Sequence, residues 1–378
     1  MNIKNLAIIC LITAISVSCR QDDVIFIPDR IPTGKPELTS VAGFYMLNEG
    51  NMGSNKCTLD FYDMTSGDYM RNIYASVNPE VPKELGDVGN DLEIYGRRMY
   101  AVINCSNKVE VLDAATCRRI GQVDIPNCRS VAFHGGYAYV TSYAGPVEIK
   151  PDYSQLGYVA KVDTATLQVV GRCIVGYQPD GITVCGNRLY VCNSGGYRVP
   201  NYENTLSEID LATFTETRRI PIAVNLNQVE ADNHGRLWIA SRGDYFDTDA
   251  RLFCYDTRKD RVTAQIPVSV SSMWLHNDDL YIVGVSYSGS QLSSERTYAV
   301  INTDMGEVRT ENFISDGTEK DIRIPYGVAV HPVTGDIYVT DARTYVNPGR
   351  LHCYSPDGTL KWSVRTGDIP AHFAFLGK

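Results

Sequence analysis

The sequence lacks the short patterns that announce common enzymes. It has no GxSxG, no HExxH and no phosphate-binding P-loop. Its eleven cysteines form no CxxC pair and no zinc spacing. Histidine is scarce at six, tryptophan at three and phenylalanine at ten. Positive charge is in deficit: 35 Lys and Arg stand against 44 Asp and Glu, giving a net charge of −9. That balance argues against nucleic acid as a partner, which needs a basic face. No motif names a cofactor or a metal.

What the chain has is tyrosine, 24 in all. Tyr joins an apolar ring to a polar tip, so an excess suits either strands or a wet recognition surface. Hydrophobic residues make 44% and charged residues 21%, the balance of a globular chain long enough for a large core.

The first residues, "MNIKNLAIICLITAISVSC", carry a Lys, an apolar run from Leu6 to Ile15 and small residues ahead of Cys19. This is a signal peptide over residues 1–18, too short and wrongly flanked to span a membrane. Ser16 and Ser18 before Cys19 resemble a bacterial lipobox in its looser Bacteroidetes form, with Ser16 where the usual Leu would stand. The following "RQDD" resembles the acidic signal that sends such lipoproteins to the cell surface. The resemblance implies lipidation at Cys19 and an outer-membrane, surface-exposed protein held by its lipid anchor only. The other reading is a secreted protein with a free Cys19. Residues 19–38, with Pro28, Pro32 and Pro36, read as a tether, and 39–378 as the folded domain. Nine cysteines remain after Cys10 and Cys19, an odd number, so at least one thiol is free; those within apolar strands read as buried free thiols, and whether Cys105 and Cys128, both at strand ends, pair is left open by the sequence.

One unit recurs through the domain. A strand ending in an aromatic and apolar residues returns at Tyr45, Tyr100, Tyr139, Tyr190, Trp238, Tyr281 and Tyr338, at steps of 39 to 57 residues. Each is followed by a strand ending in a polar residue, such as "KVEVLD", "YVAKVD" and "TLSEID". A turn and another strand follow, and a further strand precedes each aromatic, as in "DLEIY", "GITVC" and "QVEAD". Period-two alternation and Gly/Asp/Asn turns mark them all as β. Four strands per unit at this period predict an all-β, seven-bladed β-propeller. The first unit lacks its leading strand, and the C-terminal "PAHFAFLGK" supplies it, closing the first blade.

The stretch "KVDTATLQVVGRCIVGYQPDGITVCGNRLYVCN" resembles the YVTN-repeat propellers. With the lipidated start and the opening "LNEGNMGSN", the chain is more narrowly similar to surface propeller lipoproteins of gut Bacteroidetes. That group includes the corrinoid-capturing BtuG proteins. The resemblance implies binding of cobalamin or a related corrinoid and its delivery to a TonB-dependent outer-membrane transporter.

In a propeller, the loops between second and third strands share a face with those joining one blade to the next. These loops are long and Tyr-rich here: "NEGNMGSN", "SYAGPVEIKPDYSQLG", "NSGGYRVPNYENT", "SRGDYFDTDA", "GVSYSGSQLSSE" and "DARTYVNPG". The hairpins of the opposite face are short. Long ordered loops gathered on one face suggest a use. The candidate ligand contacts are Asn48, Glu49, Asn51, Asn90, Asp91, Tyr143, Asp180, Tyr197, Tyr202, Asn227, Arg242, Tyr245, Phe246, Tyr287, Tyr326, Arg343, Tyr345 and His372. His134, His234, His276 and His331 fall at the hairpins as solvent-exposed turn residues. Asp244, Asp247 and Asp249 lie close together without EF-hand spacing. Glu93 and Glu230 sit in innermost strands and are expected to pair with Arg.

Three functions remain open at this point. The first is capture of a bulky small molecule without catalysis, with a corrinoid as the leading ligand. The second is a scaffold or adhesion module binding protein or glycan. The third is a metal-dependent propeller hydrolase or lyase using Asn48, Asn90, Asp91, Asp180 and Asn227 at the channel mouth.

Overall fold

Alternation of period two, repeated four times per unit, builds seven antiparallel sheets in a computed structural model that describes residues 29–81, 84–288 and 291–378. Residues 1–28, where a signal peptide, lipidation at Cys19 and the start of a tether are expected, lie outside the described residues. Blade 2 is typical. Its strands run Gly89–Tyr95, Arg98–Ile103, Lys108–Asp113 and Arg119–Asp124 from the channel outward. Blades 3 to 7 repeat the order, with innermost strands Cys128–His134, Pro179–Cys185, Leu226–Ala231, Ser272–His276 and Pro325–Val330.

Blade 1 takes its innermost strand, Pro370–Gly377, from the C-terminus, paired antiparallel with Val41–Asn48. The predicted closure is therefore present, and the ring has no open joint. One boundary moves. Arg30–Pro32, counted above to the tether, pairs with Asp68–Met70 as a fifth, outermost strand, so the ordered domain begins before residue 39.

The core lies between blades, sheet face against sheet face. The anchor aromatics are its centre: Tyr45, Tyr100, Tyr139, Tyr190, Trp238 and Tyr338 are all buried. Blades 1 and 2, for example, close over Leu47, Leu59, Leu92, Met99 and Ile103.

The acid that ends a third strand has a local job. Asp63, Asp113, Asp163, Asp210 and Asp256 each accept backbone N–H groups from the turn that follows. These Asx turns fold the outer hairpin and explain the Asp-x-x-Thr pattern. Thr116, Thr166 and Thr213 add hydroxyl bonds to the same carboxylates.

Two expectations are corrected and one open question is answered. His331 is not solvent-exposed: it is 2% accessible, and its Nδ1 accepts the backbone N–H groups of Val333 and Thr334, shaping the hairpin. All nine described cysteines are free, Cys105 and Cys128 included; the Cys128 thiol lies against the carbonyls of Ile103 and Lys108 instead. The stretch "GVSYSGSQLSSE" is no open loop. Strands Asp279–Ser288 and Gln291–Asn302 continue through it as one long hairpin, pairing Tyr287 with Leu292.

Candidate functional site

The innermost strands surround a channel that opens among the long loops, with a cavity of about 320 Å³. A repeated defect shapes its mouth. In six blades the ladder between the first two strands shifts register there, and the inner strand carries one residue more than its partner. Such a bulge turns a side chain out of the sheet's alternation. The residues it displaces include Asn90, Arg129, Asp180, Asn227, Tyr326 and Ala371. Each is the second residue of its strand, and together they ring the mouth.

Two of these bulges need glycine. A Cβ on Gly181 would meet the backbone of Asn227 and Gln228 at 2.8 Å, and one on Gly327 would meet the Ala371 carbonyl at 2.2 Å. Neighbouring inner strands approach this closely only because those positions are bare.

The mouth is polar, and its charges are matched. Asp180 lies between Arg129 (Nε to Oδ1, 3.0 Å) and Arg242 (Nη1 to Oδ2, 3.2 Å). Burial opposes ionisation of Asp180, but the two guanidinium groups outweigh it and hold the carboxyl below its usual range. Arg129 also donates to Asn90 (3.1 Å) and lies over the Tyr143 ring at 5.0 Å. On the other side, Glu49 bonds His372 Nε2 at 3.0 Å and accepts the Tyr326 hydroxyl at 2.9 Å. Tyr326 packs edge-on against Tyr345, whose hydroxyl meets that of Tyr287. Val285, Ile324, Ala342 and Ile369 form an apolar pad beside this second network.

Beneath the mouth the matching ends. The inner-strand residues opposite the anchor aromatics are Ala132, Thr183, Ala329, Ala374, Trp274, Glu93 and Glu230. Glu93 and Glu230 were expected to pair with Arg. Among the described residues neither has an ion pair; they face the channel with Asp91 above them. Glu93 is open to channel water, yet the blades enclose it. Burial, then the charges of Asp91 and Glu230, push its carboxyl well above the ordinary range. Burial and Asp91 push Glu230 up to about 7. Asp91 also rises through burial, partly offset by His372 and by the N–H of Val131, which it accepts at 2.8 Å.

The structure gathers eight of the sequence candidates in the channel: Glu49, Asn90, Asp91, Asp180, Asn227, Arg242, Tyr326 and His372. Tyr287 and Tyr345 join them through hydrogen bonds and ring contact, as Asn51 does by donating to the Tyr345 carbonyl. Tyr197 stands edge-on to Tyr143, 6.2 Å away. Tyr202 and Tyr245 are half-buried in their loops, while Phe246 and Arg343 are exposed. Two candidates are shut in. Asn48 is 0% and Tyr143 2% accessible, so they support the mouth from behind. Asp244 does not gather cations with Asp247 and Asp249; its carboxylate accepts the N–H groups of Phe246, Asp247 and Thr248. Among the described residues no three His, Cys, Asp or Glu side chains converge as a metal site.

Arg129 escaped the sequence reading. Aligning the innermost strands on their second residue would have found it, since "CRSV", "PDGI" and "LNQV" place Arg129, Asp180 and Asn227 in one column.

The comparisons agree with the architecture. A quinonprotein alcohol dehydrogenase-like protein from Bacteroides thetaiotaomicron superposes with a TM-score of 0.59 at 12% identity, over 90% of this chain and 79% of that one. Hydrazine synthase of Kuenenia stuttgartiensis gives 0.54 at 18% identity, over 71% of this chain and 77% of that one. The Pan2 WD40 domain of Neurospora crassa gives 0.51 at 10% identity, over 72% and 78%. At such identities the likeness is one of fold alone. No protein of curated function matches the sequence. A family model spans residues 42–355, from the second strand of blade 1 into blade 7, and by that match the chain belongs to DUF5074, a domain of unknown function.

Proposed function

We propose that this propeller captures a bulky small molecule on its long-loop face and seats one polar arm of it in the channel mouth. The carrying observation is the ring of bulge-borne side chains, from Asn90 through Arg129, Asp180 and Asn227 to Tyr326. Its charges are already matched and hydrogen-bonded, so it is preorganised for polar recognition at little entropic cost. Tyr197, Tyr202, Tyr245 and Tyr345 stand in the loops around it, Tyr287 stands in the long hairpin of blade 6, and they offer ring faces and hydroxyls.

A corrinoid is the ligand class proposed first, since a large planar ring with polar arms matches a broad tyrosine-rich face above a narrow polar mouth. In this reading the protein acts by binding. It is held at the outer-membrane surface through lipidated Cys19 and passes its ligand to a TonB-dependent transporter.

Titration calorimetry of the purified full chain with cobalamin and with cobinamide tests the reading. Tyr202→Ala and Tyr245→Ala should each weaken binding by about 1–3 kcal/mol. His134→Ala, on the hairpin face, should leave it unchanged. Absence of heat with both corrinoids would remove that ligand class, and binding that survives both loop changes would move the site off this face.

One observation supports the scaffold reading. Met52, Ile149, Phe246 and Val346 are exposed large apolar residues, all on loops of the same face. A protein partner would lose affinity when all four become Ser, whereas a corrinoid held at the mouth would not.

A further inference from the structure

Below the mouth, the channel changes character. Six of the seven blades place a small side chain, a hydroxyl or a carboxylate opposite their anchor aromatic, and blade 6 places Trp274 there. At this level Glu93 and Glu230 extend into the channel from blades 2 and 5, which are not neighbours. Glu93, Glu230 and Trp274 line the channel cavity. A second observation points the same way. Asn227, 4% accessible, stands three residues before Glu230 on the same strand and lines the same channel, and its Oδ1 has no hydrogen-bond partner among the described residues. A buried acceptor without a donor is costly unless something supplies one.

We infer that the channel below the mouth is a site for an organic cation, a protonated amine or quaternary ammonium group, received by Glu93 and Glu230 against the face of Trp274. A cation beside two carboxylates answers their charge, and an indole face attracts it further. The unmatched carboxylates belong to the lower channel, because the guanidinium groups of the mouth, Arg129 and Arg242, are taken by Asp180. An organic cation fits better than a bare metal ion, because no three acidic, His or Cys groups converge among the described residues. The inference concerns a different level of the channel from the capture reading and stands whether or not the face holds a corrinoid.

Affinity should depend on pH with a definite sign. The groups facing this level are Asp91 and Glu93 of blade 2, Glu230 of blade 5 and, from above, Arg129, Asp180, Arg242, Glu49, Tyr326 and His372. Blade 6 contributes Ser271, Ser272 and Trp274, none of them titratable in this range. The cation requires an ionised carboxylate, and Glu230 ionises only near pH 7 while Glu93 holds its proton well above the ordinary range, so binding should tighten from about pH 6 to about pH 8.

Choline is the probe, with 3,3-dimethylbutan-1-ol as its neutral isostere, titrated into the full chain by calorimetry. Choline should bind at least about tenfold more tightly than the alcohol. The double variant Glu93→Gln/Glu230→Gln should lose that preference while melting no lower than the parent, since it removes two mutually repelling acids. Trp274→Leu should keep the cation preference and lower choline affinity. Equal binding of choline and alcohol would overturn the inference. So would unchanged choline binding in the double variant, or no choline heat at about pH 8. Calcium that binds and displaces choline would overturn it in favour of an inorganic ion.

Discussion

Asp113, Asp163 and Asp210 stand at turns on the hairpin face, and Asp91, Glu93 and Glu230 stand in the channel. The side chains are chemically alike, but their surroundings drive them in opposite directions. At the turns, hydrogen bonds from the following Thr residues stabilise the charged form and lower the carboxyl. In the channel, burial without enough donors raises it. The turn acids are satisfied by their own chain and serve the fold. Among the described residues Glu93 and Glu230 receive no such bonds, and that difference separates architecture from a site in a protein whose repeats make every blade look alike.

The largest test strikes the mouth, where charge is buried and matched. Asp180→Ala leaves Arg129 and Arg242 without their shared anion and should cost about 3 kcal/mol in urea unfolding, the partial exposure of Arg242 softening the loss. A negligible loss would mean the mouth charges are solvated, and the contrast with the turns would collapse.

Glu230→Gln should have the opposite sign. A carboxyl raised to about 7 favours folding less as pH climbs from the ordinary carboxylate range through 7, because the folded chain must then give up a proton it holds more tightly than the unfolded one. The variant should therefore gain about 2 kcal/mol over the parent above pH 7, discounted for channel water, and nothing near pH 4. Thermal melts at both ends check it.

Asp113→Ala carries the smallest effect. Its lowered carboxyl contributes stability that is present above the ordinary carboxylate range and fades as pH falls through the folded value. The exposed turn should lose about 0.5 kcal/mol at neutral pH, and parent and variant should converge on acidification. A difference that persists in acid would assign the effect to the threonine hydroxyls instead.

The blades were legible because each repeat announces itself: an aromatic anchor, a polar strand end, a turn. The C-terminal closure was legible because "AHFAFL" had no partner in its own blade and blade 1 had a vacancy. The mouth was legible only in part. Asn90, Asp180 and Asn227 were found, but the bulges that aim them arise from pairing between strands, which no single strand reveals. The burial of Tyr143 and Asn48 was hidden for a related reason, since a polar loop residue reads as surface until Arg129 or Thr58 is seen covering or bonding it. Arg30–Pro32 was missed because three residues among prolines carry no period at all.

That short strand has a geometric consequence. It pairs antiparallel with Asp68–Met70, Arg30 opposite Met70, so the chain enters blade 1 at its outer rim and runs toward the hairpin face. Were Cys19 the anchored residue proposed above, residues 20–29 would span at most about 35 Å fully stretched, and the rim of blade 1 would be held within that distance of the bilayer.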